Sequence, residues 1–536
     1  MIARKSLFAI SIQFFIRFVG WIGLVVLAKL WGNYAPGALG IIGFAMAFVS
    51  LFNIIGDLGF GQAHVKRISE CKDLGTCIGT FTAIKLLLIG LMVGIVAAGL
   101  LIWKTFLHGG FTDATTETVV LVFILYYILY NVQAIPITTF NGTGEIAKLQ
   151  LTSMTENSLK VPLTILVALA GVSVVSLAAP VHWPAFLESF RRFIASHPVG
   201  SLATAYLVGM AASCIVGIWL LRKYPLKRPD MGLAKSYFTF ALPTLLVSVL
   251  VTVSTNIDKI TIGYFWTSVE VGYYFSVQQI LQIMLIVAQV MIIVLFPTFS
   301  KFHSEKQMEK IHEMTLSAER YISLLMIPVV VVLIVFAGPI INIMLNSSFL
   351  PAVSVLIVLS LYALVSSFTA PFTALVIGMD KPAVAARNSL MVCVINITLN
   401  FLFIPKNGAL SFVGINGATG AAVACAISAT VGFVGLKIVS RRMTGIRLVQ
   451  PSVILHIVAG LVMGAFLYGL TRVVTVNRWF SVIAFALLGL MVYLGVLWVL
   501  KEFRREEFTF FVNLLHPKKM LQYVSSEMRG ENEEKK

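Results

Sequence analysis

Charged residues are scarce in this sequence. Only 12% of its 536 residues are Asp, Glu, Lys or Arg, and 58% are hydrophobic, whereas soluble domains carry roughly 25% charged residues. Apolar runs of about 20 residues, the length that spans a bilayer as a helix, recur almost from end to end. The polar segments between them are too short to build a core of their own. The composition therefore excludes a string of soluble domains and predicts an all-α polytopic membrane protein.

Cysteine and histidine are also few. The five cysteines and eight histidines show no Cys-x-x-Cys or Cys/His spacing, which argues against a metal site and a disulfide framework. Cys214, Cys393 and Cys425 lie inside apolar runs and are predicted to be small packing residues. The sequence pattern also lacks a carboxylate pair and a nucleophile with its base. We therefore predict that the protein is not an enzyme and binds no cofactor.

Fourteen apolar runs are predicted as transmembrane helices. The first follows Arg4 and Lys5 and is too long for the core of a signal peptide, so it is retained as a helix. An even number of crossings places both termini on the same side. The predicted helices are 7–30, 38–60, 76–103, 118–140, 150–179, 203–222, 237–264, 270–299, 319–345, 353–378, 388–405, 417–437, 452–471 and 479–500.

The basic residues indicate how these helices are oriented. The formal net charge is +17, and with a cytoplasmic N-terminus 29 Lys and Arg residues fall in cytoplasmic segments against six in outer ones. Basic residues concentrate on the cytoplasmic side of membrane proteins. The distribution predicts a multi-pass protein of the cytoplasmic membrane with both termini inside. Topology explains the basic excess, so nucleic acid is not expected as a partner.

An internal repeat relates the first and second thirds of the chain at an offset of 235 residues. Six helices separate the copies, so both copies have the same orientation, as in parallel repeats of transporters. We expect an N-lobe at 1–236, a C-lobe at 237–445, two further helices at 446–500 and a cytoplasmic tail at 501–536. The matched pairs are Trp31 and Trp266, Gly37 and Gly272, Lys66 and Lys301, Ser69 and Ser304, Glu70 and Glu305, and Pro136 and Pro371.

Three strings carry a family resemblance. They are LAKLWGNYAPGALGIIGFAMAFVSLFNIIGDLGFGQAHVKRIS at the first hairpin, NIDKITIGYFWTSVEVGYYFSVQQI at the start of the second half, and INITLNFLFIPKNG followed by GINGATGAAVACAIS. In this order they resemble the polysaccharide transporters, Wzx-like oligosaccharide flippases of the multidrug/oligosaccharidyl-lipid/polysaccharide exporter superfamily. The connection between these last two strings, which with the final glycine of the first reads GALSFV, is longer than the usual turn of that family.

The resemblance implies two six-helix lobes in a V that open alternately to each side of the membrane. It also implies the substrate, a glycan on a polyprenyl phosphate or pyrophosphate. The partners expected are this lipid-linked glycan and membrane lipids. A monomer is expected, with association with glycan-assembly enzymes left open. Na⁺ or H⁺ coupling is a further option that the sequence leaves open.

Two basic residues lie deep in the predicted helices. Arg17 is about ten residues, or roughly 15 Å, from the cytoplasmic end of the first helix. A charge at that depth is costly unless it meets water, an acid or a ligand, and the guanidinium fork suits a phosphate. Lys85 in the third helix is a second phosphate candidate. A structural ion pair for Arg17 and snorkelling for Lys85 are the alternatives.

Further charged residues complete the candidate site. Glu156 and Lys160 are four residues apart, so they share a helical face and can pair. Asp258 and Lys259 match an Asp-Lys pair of the family and are candidates for substrate contact or for stabilising the fold. Asp57, near the cytoplasmic end of the second helix, is a candidate for binding a coupling cation or proton, with a capping role as the alternative.

Several segments suggest motion or surface contact. Pro136, Pro243 and Pro371 fall inside predicted helices and would kink them. We hypothesise that these kinks let the lobes bend, with a static shape as the alternative. Residues 186–194 outside and 508–515 in the tail have apolar faces typical of helices that lie on the membrane.

The function predicted is a flippase for lipid-linked oligosaccharide or another precursor of cell-surface polysaccharide. The alternatives within the same superfamily are a lipid II flippase and a drug or metabolite cation antiporter. A membrane glycosyltransferase or glycan polymerase would need a catalytic acid or base, often on a sizeable outer loop. Here the longest outer connection holds a single acid, Glu188.

Overall fold

The chain is all-helical. The computed structural model describes residues 2–70, 73–106, 110–111, 113–175, 188–445, 450–474, 476 and 478–502. Over these residues it forms seventeen α-helices and no β-strand. They are α1 (Ile2–Trp31), α2 (Ala35–Asp57), α3 (Phe60–Ser69), α4 (Leu74–Thr105), α5 (Ala114–Gly142), α6 (Ile146–Val175), α7 (Glu188–Ser196), α8 (Pro198–Leu221), α9 (Met231–Phe265), α10 (Ser268–Ser304), α11 (Met308–Val335), α12 (Ala337–Met344), α13 (Val353–Gly378), α14 (Pro382–Phe403), α15 (Gly417–Thr444), α16 (Pro451–Val473) and α17 (Trp479–Val499).

Each of the fourteen predicted helices coincides with a long helix of the structure. The short helices α3 and α7 lie in connections, and α12 falls at the end of the ninth predicted helix. Length and apolar composition mark eleven membrane-span candidates among the described residues, one of which runs through both α1 and α2. The all-α polytopic fold is thus confirmed. The exact number of fourteen crossings stays a prediction.

The described residues include part of one predicted surface helix and two of the prolines predicted to kink helices. In α7, Phe190 and Phe193 are exposed, and Ile194 is buried; residues 186–187 and 508–515 lie outside the described residues. Pro136 and Pro371 lie inside the unbroken helices α5 and α13. Their role in bending stays a prediction.

The repeat in the sequence is also a repeat of contacts. Trp31 donates its indole N–H to the carbonyl of Ala168, near the end of α6, at 3.1 Å. Trp266 donates to the carbonyl of Ile404, just after α14, at 2.6 Å. The two acceptors are separated by almost the same offset as the two tryptophans. In each copy the tryptophan therefore links the turn after the first transmembrane helix to the fifth predicted transmembrane helix, which is α6 in the first copy and α14 in the second.

The two copies differ at one break in the helix. Leu58 and Gly59 take φ angles of 45° and 81°, left-handed values that end α2 and let α3 begin in a new direction. The corresponding α10 continues for 37 residues to Ser304. We name α1–α8 the N-lobe and α9–α15 the C-lobe; the exact residue boundaries of the lobes stay a prediction.

The lobes meet most closely where α2 crosses α10. A Cβ on Gly40 would lie 1.6 Å from the carbonyl oxygen of Ser268, and one on Gly272 would lie 1.8 Å from the carbonyl oxygen of Pro36. Only glycine permits this approach of the two backbones. We call this crossing the glycine contact.

Polar bonds close the lobes at the same end. The ammonium of Lys29 donates to the carbonyl of Asn342 at 2.8 Å. Asn346, after α12, donates its amide to the carbonyls of Ala28 and Gly32 at the α1–α2 turn. Backbone carbonyls of both lobes thereby accept hydrogen bonds across the lobe interface.

At the opposite end, the segment between α8 and α9 is bonded to the N-lobe. Lys227 pairs with Asp73 at 2.8 Å and donates its backbone N–H to the carbonyl of Gly75 at 3.2 Å. Hydrogen bonds from Lys227 and Thr76 hold the pKa of Asp73 well below its usual range. The interlobe segment therefore follows α4 rather than crossing open solvent.

The last two described helices attach to the C-lobe. On α11, Arg320 pairs with Glu502 at 2.7 Å, and Ser323 bonds the Nδ1 atom of His456 on α16 at 2.6 Å. These groups link α16 and the residues after α17 to α11.

The glycine contact yields a stability prediction. Gly272→Ala should lower the free energy of unfolding by about 1–3 kcal/mol, because the methyl group meets backbone that cannot rotate away. Gly90→Ala on α4 should cause no loss, since no atom lies within 4 Å of its Cβ position. Thermal unfolding in detergent measures both. Equal transition temperatures for the two variants would contradict the role given to the glycine contact.

Candidate functional site: a polar cavity between the lobes

A cavity of about 310 Å³ lies between α1, α2, α6 and α8 of the N-lobe and α10 of the C-lobe. One part of its wall is apolar, with Trp21, Leu24 and Phe275. The wall also carries charged and polar side chains, which are rare in a membrane interior. The polar residues of the wall include Arg17, Asn157, Lys160, Tyr206, Gln279 and Gln282.

Arg17 lies in the cavity wall, and its contact with a substrate stays a prediction. Its Nη1 atom donates to the backbone carbonyl of Gln282 at 3.2 Å and to the side-chain Oε1 of the same residue. Among the described residues Arg17 forms no ion pair, so its charge is met only by a neutral amide across the lobe interface. The predicted alternative, an ion pair inside the N-lobe, is not what these contacts show.

Lys160 is the second cation of the wall. It pairs with Glu156 at 3.5 Å, one helical turn earlier on α6, and its ammonium lies 5.0 Å from the centre of the Tyr206 ring. Glu156 also accepts a hydrogen bond from the hydroxyl of Tyr126 at 3.0 Å. Glu156 and Tyr206 therefore hold Lys160 in place, and of the predicted pair only Lys160 lines the cavity.

Lys85 and Asp57 lie together, away from this cavity. The Lys85 ammonium is 2.7 Å from Asp57 and also donates to the Gly56 carbonyl at 2.9 Å and to Asn131 at 3.2 Å. The Lys85 side chain is buried, while that of Asp57 is 41% exposed. The structure thus brings the predicted phosphate ligand and the predicted coupling carboxylate into one ion pair. A direct role for either in transport stays a prediction.

Asp258 and Lys259 point into different surroundings within the C-lobe. Lys259 donates to Gln278 and to the carbonyl of Thr255, both at 3.0 Å. Both charged residues are buried. Their contact with a substrate stays a prediction, and the observed bonds are of the kind that stabilise the lobe.

Asp258 is surrounded by neutral donors from three other helices. Its carboxylate accepts from the Tyr274 hydroxyl and from the Asn400 amide at 2.6 Å each, and from the Cys425 thiol at 3.1 Å. No basic side chain of the described residues forms an ion pair with it. The amide oxygen of Asn400 is itself buried without a partner. Asn396 donates its amide to the sulfur of Cys425 at 3.5 Å. We call Asp258, Tyr274, Asn396, Asn400 and Cys425 the Asp258 cluster.

Several of these residues were absent from the sequence-based site. Gln279 and Gln282 occur in the string QQILQ at the start of an otherwise apolar run, and Asn396 and Asn400 are one turn apart in the apolar α14. Amides one turn apart in a transmembrane helix are a usable signal. Cys425, predicted only as a packing residue, also donates a hydrogen bond.

Two pseudosymmetric helical lobes around a polar cavity define a class of membrane transport proteins. A solved structure of the lipid II flippase MurJ in an inward closed conformation has a TM-score of 0.71 at 17% identity, covering 92% of this chain and 99% of that one. A multidrug resistance MATE family transporter of the MOP superfamily, inward-facing, has a TM-score of 0.57 at 15% identity, covering 81% and 99%. At these identities the likeness establishes the fold alone.

The family follows from the sequence. The model of the family described as polysaccharide biosynthesis protein matches residues 26–187 and 193–354, and the chain belongs to this family. A Haloferax volcanii protein described as a probable low-salt glycan biosynthesis flippase, Agl15, is 26% identical over 316 residues. That match covers 58% of this chain and spans 65% of the relative's length. The resemblance noted in the sequence is thereby confirmed.

Lys85 is ion-paired and Arg17 has a neutral partner, so removing each cation should change the free energy of unfolding by different amounts. Lys85→Met should lower the free energy of unfolding by about 1–3 kcal/mol, less than for a fully buried pair because Asp57 is partly hydrated. Adding Asp57→Asn should restore part of the loss. Arg17→Met should be near neutral, since only a neutral partner is left behind. Chemical denaturation in detergent measures all of these, and a larger loss for Arg17→Met would contradict the assignment.

Proposed function

We propose that the protein is a flippase that moves a polyprenyl-phosphate- or pyrophosphate-linked oligosaccharide, or a related precursor of cell-surface polysaccharide, across the cytoplasmic membrane by alternating access. The observation that carries this proposal is the charge of the cavity between the lobes. Arg17 has no acidic partner among the described residues, and Lys160 stands in the same wall. The family and the flippase relative in Haloferax volcanii support the same conclusion.

The physical demands of the task agree with this cavity. A glycan headgroup cannot enter hydrocarbon without losing its hydrogen bonds, at several kcal/mol for each unpaired group. A path lined by amides and cations replaces those bonds. The phosphate adds negative charge, which Arg17 can bind through its fork. The polyprenyl tail remains in the bilayer beside the protein.

The same charge separates this proposal from its alternatives. A cation antiporter needs acidic residues that face its substrate. None of the described residues that line the cavity is acidic, and Glu156, beside the cavity, is already paired with Lys160. A lipid II flippase would also bind a pyrophosphate, and the fold is compatible with it. The family match favours polysaccharide precursors over lipid II.

The setting of the protein is part of the proposal. The distribution of basic residues supports a cytoplasmic membrane protein with both termini inside. The substrate enters from the cytoplasmic leaflet, where lipid-linked precursors would be delivered by glycan-assembly enzymes. A monomer suffices, because both lobes and the cavity between them come from one chain.

We further propose that transport is coupled to Na⁺ or H⁺ and that Asp258 is the coupling carboxylate. Asp57 is compensated by Lys85 at 2.7 Å, whereas among the described residues Asp258 forms no ion pair and accepts hydrogen bonds from neutral donors. The free oxygen of Asn400 supplies a second acceptor in the Asp258 cluster. Such oxygen ligands suit a hard cation, and a buried carboxylate that forms no ion pair with a described residue suits a proton.

Reconstitution into liposomes tests the flippase. Transbilayer movement of a fluorescent polyprenyl-pyrophosphate oligosaccharide should require the protein and should fall about 10- to 100-fold in Arg17→Ala, the worth of a charge-assisted hydrogen bond. Arg17→Lys should retain part of the rate. Arg192→Ala on the exposed face of α7 serves as the control. Absence of movement beside an active control flippase would reject the proposed substrate.

Coupling is tested in the same vesicles with imposed Na⁺ and pH gradients. Asp258→Asn should abolish the stimulation by whichever gradient drives the wild type. Slow movement of the lipid-linked glycan without a gradient should persist. Asp57→Asn should preserve the response to the gradient even if the protein is less stable. A loss of response in Asp57→Asn alone would transfer the coupling role from Asp258 to Asp57.

A further inference from the structure

Arg17, the anion-binding residue of the proposed function, already has a hydrogen-bond partner in the cavity, Gln282. We propose that, in the empty protein, Gln282 bonds Arg17 in the place of the substrate. A phosphate then displaces Gln282, and this exchange releases the contact between α1 and α10. This inference rests on the proposed function and adds to it a positioning residue that ties substrate binding to movement of the lobes.

The contact is specific to one nitrogen. Among the described residues Nη1 is the only guanidinium nitrogen of Arg17 with a hydrogen-bond partner, and both of its acceptors belong to Gln282. An Arg guanidinium carries five N–H donors. The remaining donors of Arg17 are therefore available while Gln282 is still bound, so an incoming anion can engage the fork before Gln282 leaves.

The strength of the contact suits displacement. A carboxamide oxygen is a neutral acceptor, and hydrogen bonds from Arg to phosphate are charge-assisted and about twice as strong. A carboxylate at position 282 would instead compete with the phosphate on equal terms. Glutamine thus satisfies Arg17 in the empty cavity and yields to an anion.

The position of the contact gives it a mechanical consequence. Arg17 belongs to the N-lobe and Gln282 to the C-lobe. Lys29, about 18 Å further along α1, bonds the carbonyl of Asn342, at the end where the glycine contact also lies. Exchange at Arg17 breaks the interlobe bond at one level and leaves the other end closed. The lobes can then separate around the closed end, as rocking requires.

Binding of geranylgeranyl pyrophosphate tests the exchange without needing the glycan. In Gln282→Met, which keeps the backbone carbonyl but removes the competing side-chain oxygen, the dissociation constant should fall about fivefold. In Gln282→Glu it should rise at least about tenfold. Gln289→Met is the matched control, because Gln289 is an exposed glutamine two turns along the same face of α10, and its affinity should equal that of the wild type.

A double variant separates displacement from a static role. In an Arg17→Ala background, Gln282→Met should no longer change the affinity. Equal affinities of wild type and Gln282→Met, or the same gain with Arg17 removed, would overturn the proposal.

The lobe movement has its own readout. Spin labels at Phe14 on α1 and Ile293 on α10, both exposed, should move apart when geranylgeranyl pyrophosphate binds to the wild type. In Gln282→Glu the distance should stay that of the empty protein. A distance that stays constant in the wild type despite ligand binding would overturn the release of α1 from α10. Failure of glycan transport in liposomes with these binding effects intact would reject only the proposed substrate.

Discussion

The backbones of α2 and α10 approach each other at Gly40 and Gly272 more closely than any side chain would allow. This approach brings the two lobes together at one end and determines where the remaining space between them lies. The cavity wall includes Leu39 and Phe275, neighbours of that crossing. Lys29 and Asn346 add hydrogen bonds at the same end. A tight crossing at one end and a polar space behind it are the geometry from which alternating access can arise.

Charges inside a membrane protein need partners, and this chain meets that need in three ways. Lys85 with Asp57 and Lys160 with Glu156 are ion pairs. Asp258 is compensated by neutral donors. Among the described residues, Arg17 has one partner, the neutral Gln282. The weaker the compensation, the more free energy a ligand of opposite charge can gain by binding. Arg17 and Asp258 therefore stand out as functional candidates, and the paired residues as structural ones.

The two halves share a fold but have different chemistry. Trp31 and Trp266 make equivalent hydrogen bonds, each from the indole N–H to a backbone carbonyl. In contrast, the cavity draws its cations from α1 and α6 of the N-lobe and amides from α10 of the C-lobe. The left-handed break at Leu58 and Gly59 occurs only in the first copy, next to the ion pair of Lys85 and Asp57. The helix arrangement thus follows the pseudosymmetry, whereas the residues of the polar cavity do not.

The sequence by itself determined the membrane class, the positions of fourteen helices, the parallel repeat and the presence of costly charges such as Arg17. These follow from local quantities, since hydrophobic length and charge depth can be read along one dimension. Only the tertiary structure decided which charges meet. It joined Lys85 to Asp57 over 28 residues, Asp258 to Asn400 over 142 and Arg17 to Gln282 over 265. Such pairings depend on the packing of helices far apart in the chain, and a neutral amide such as Gln282 gives little sign of its partner in the sequence, because it costs far less than a charge to bury.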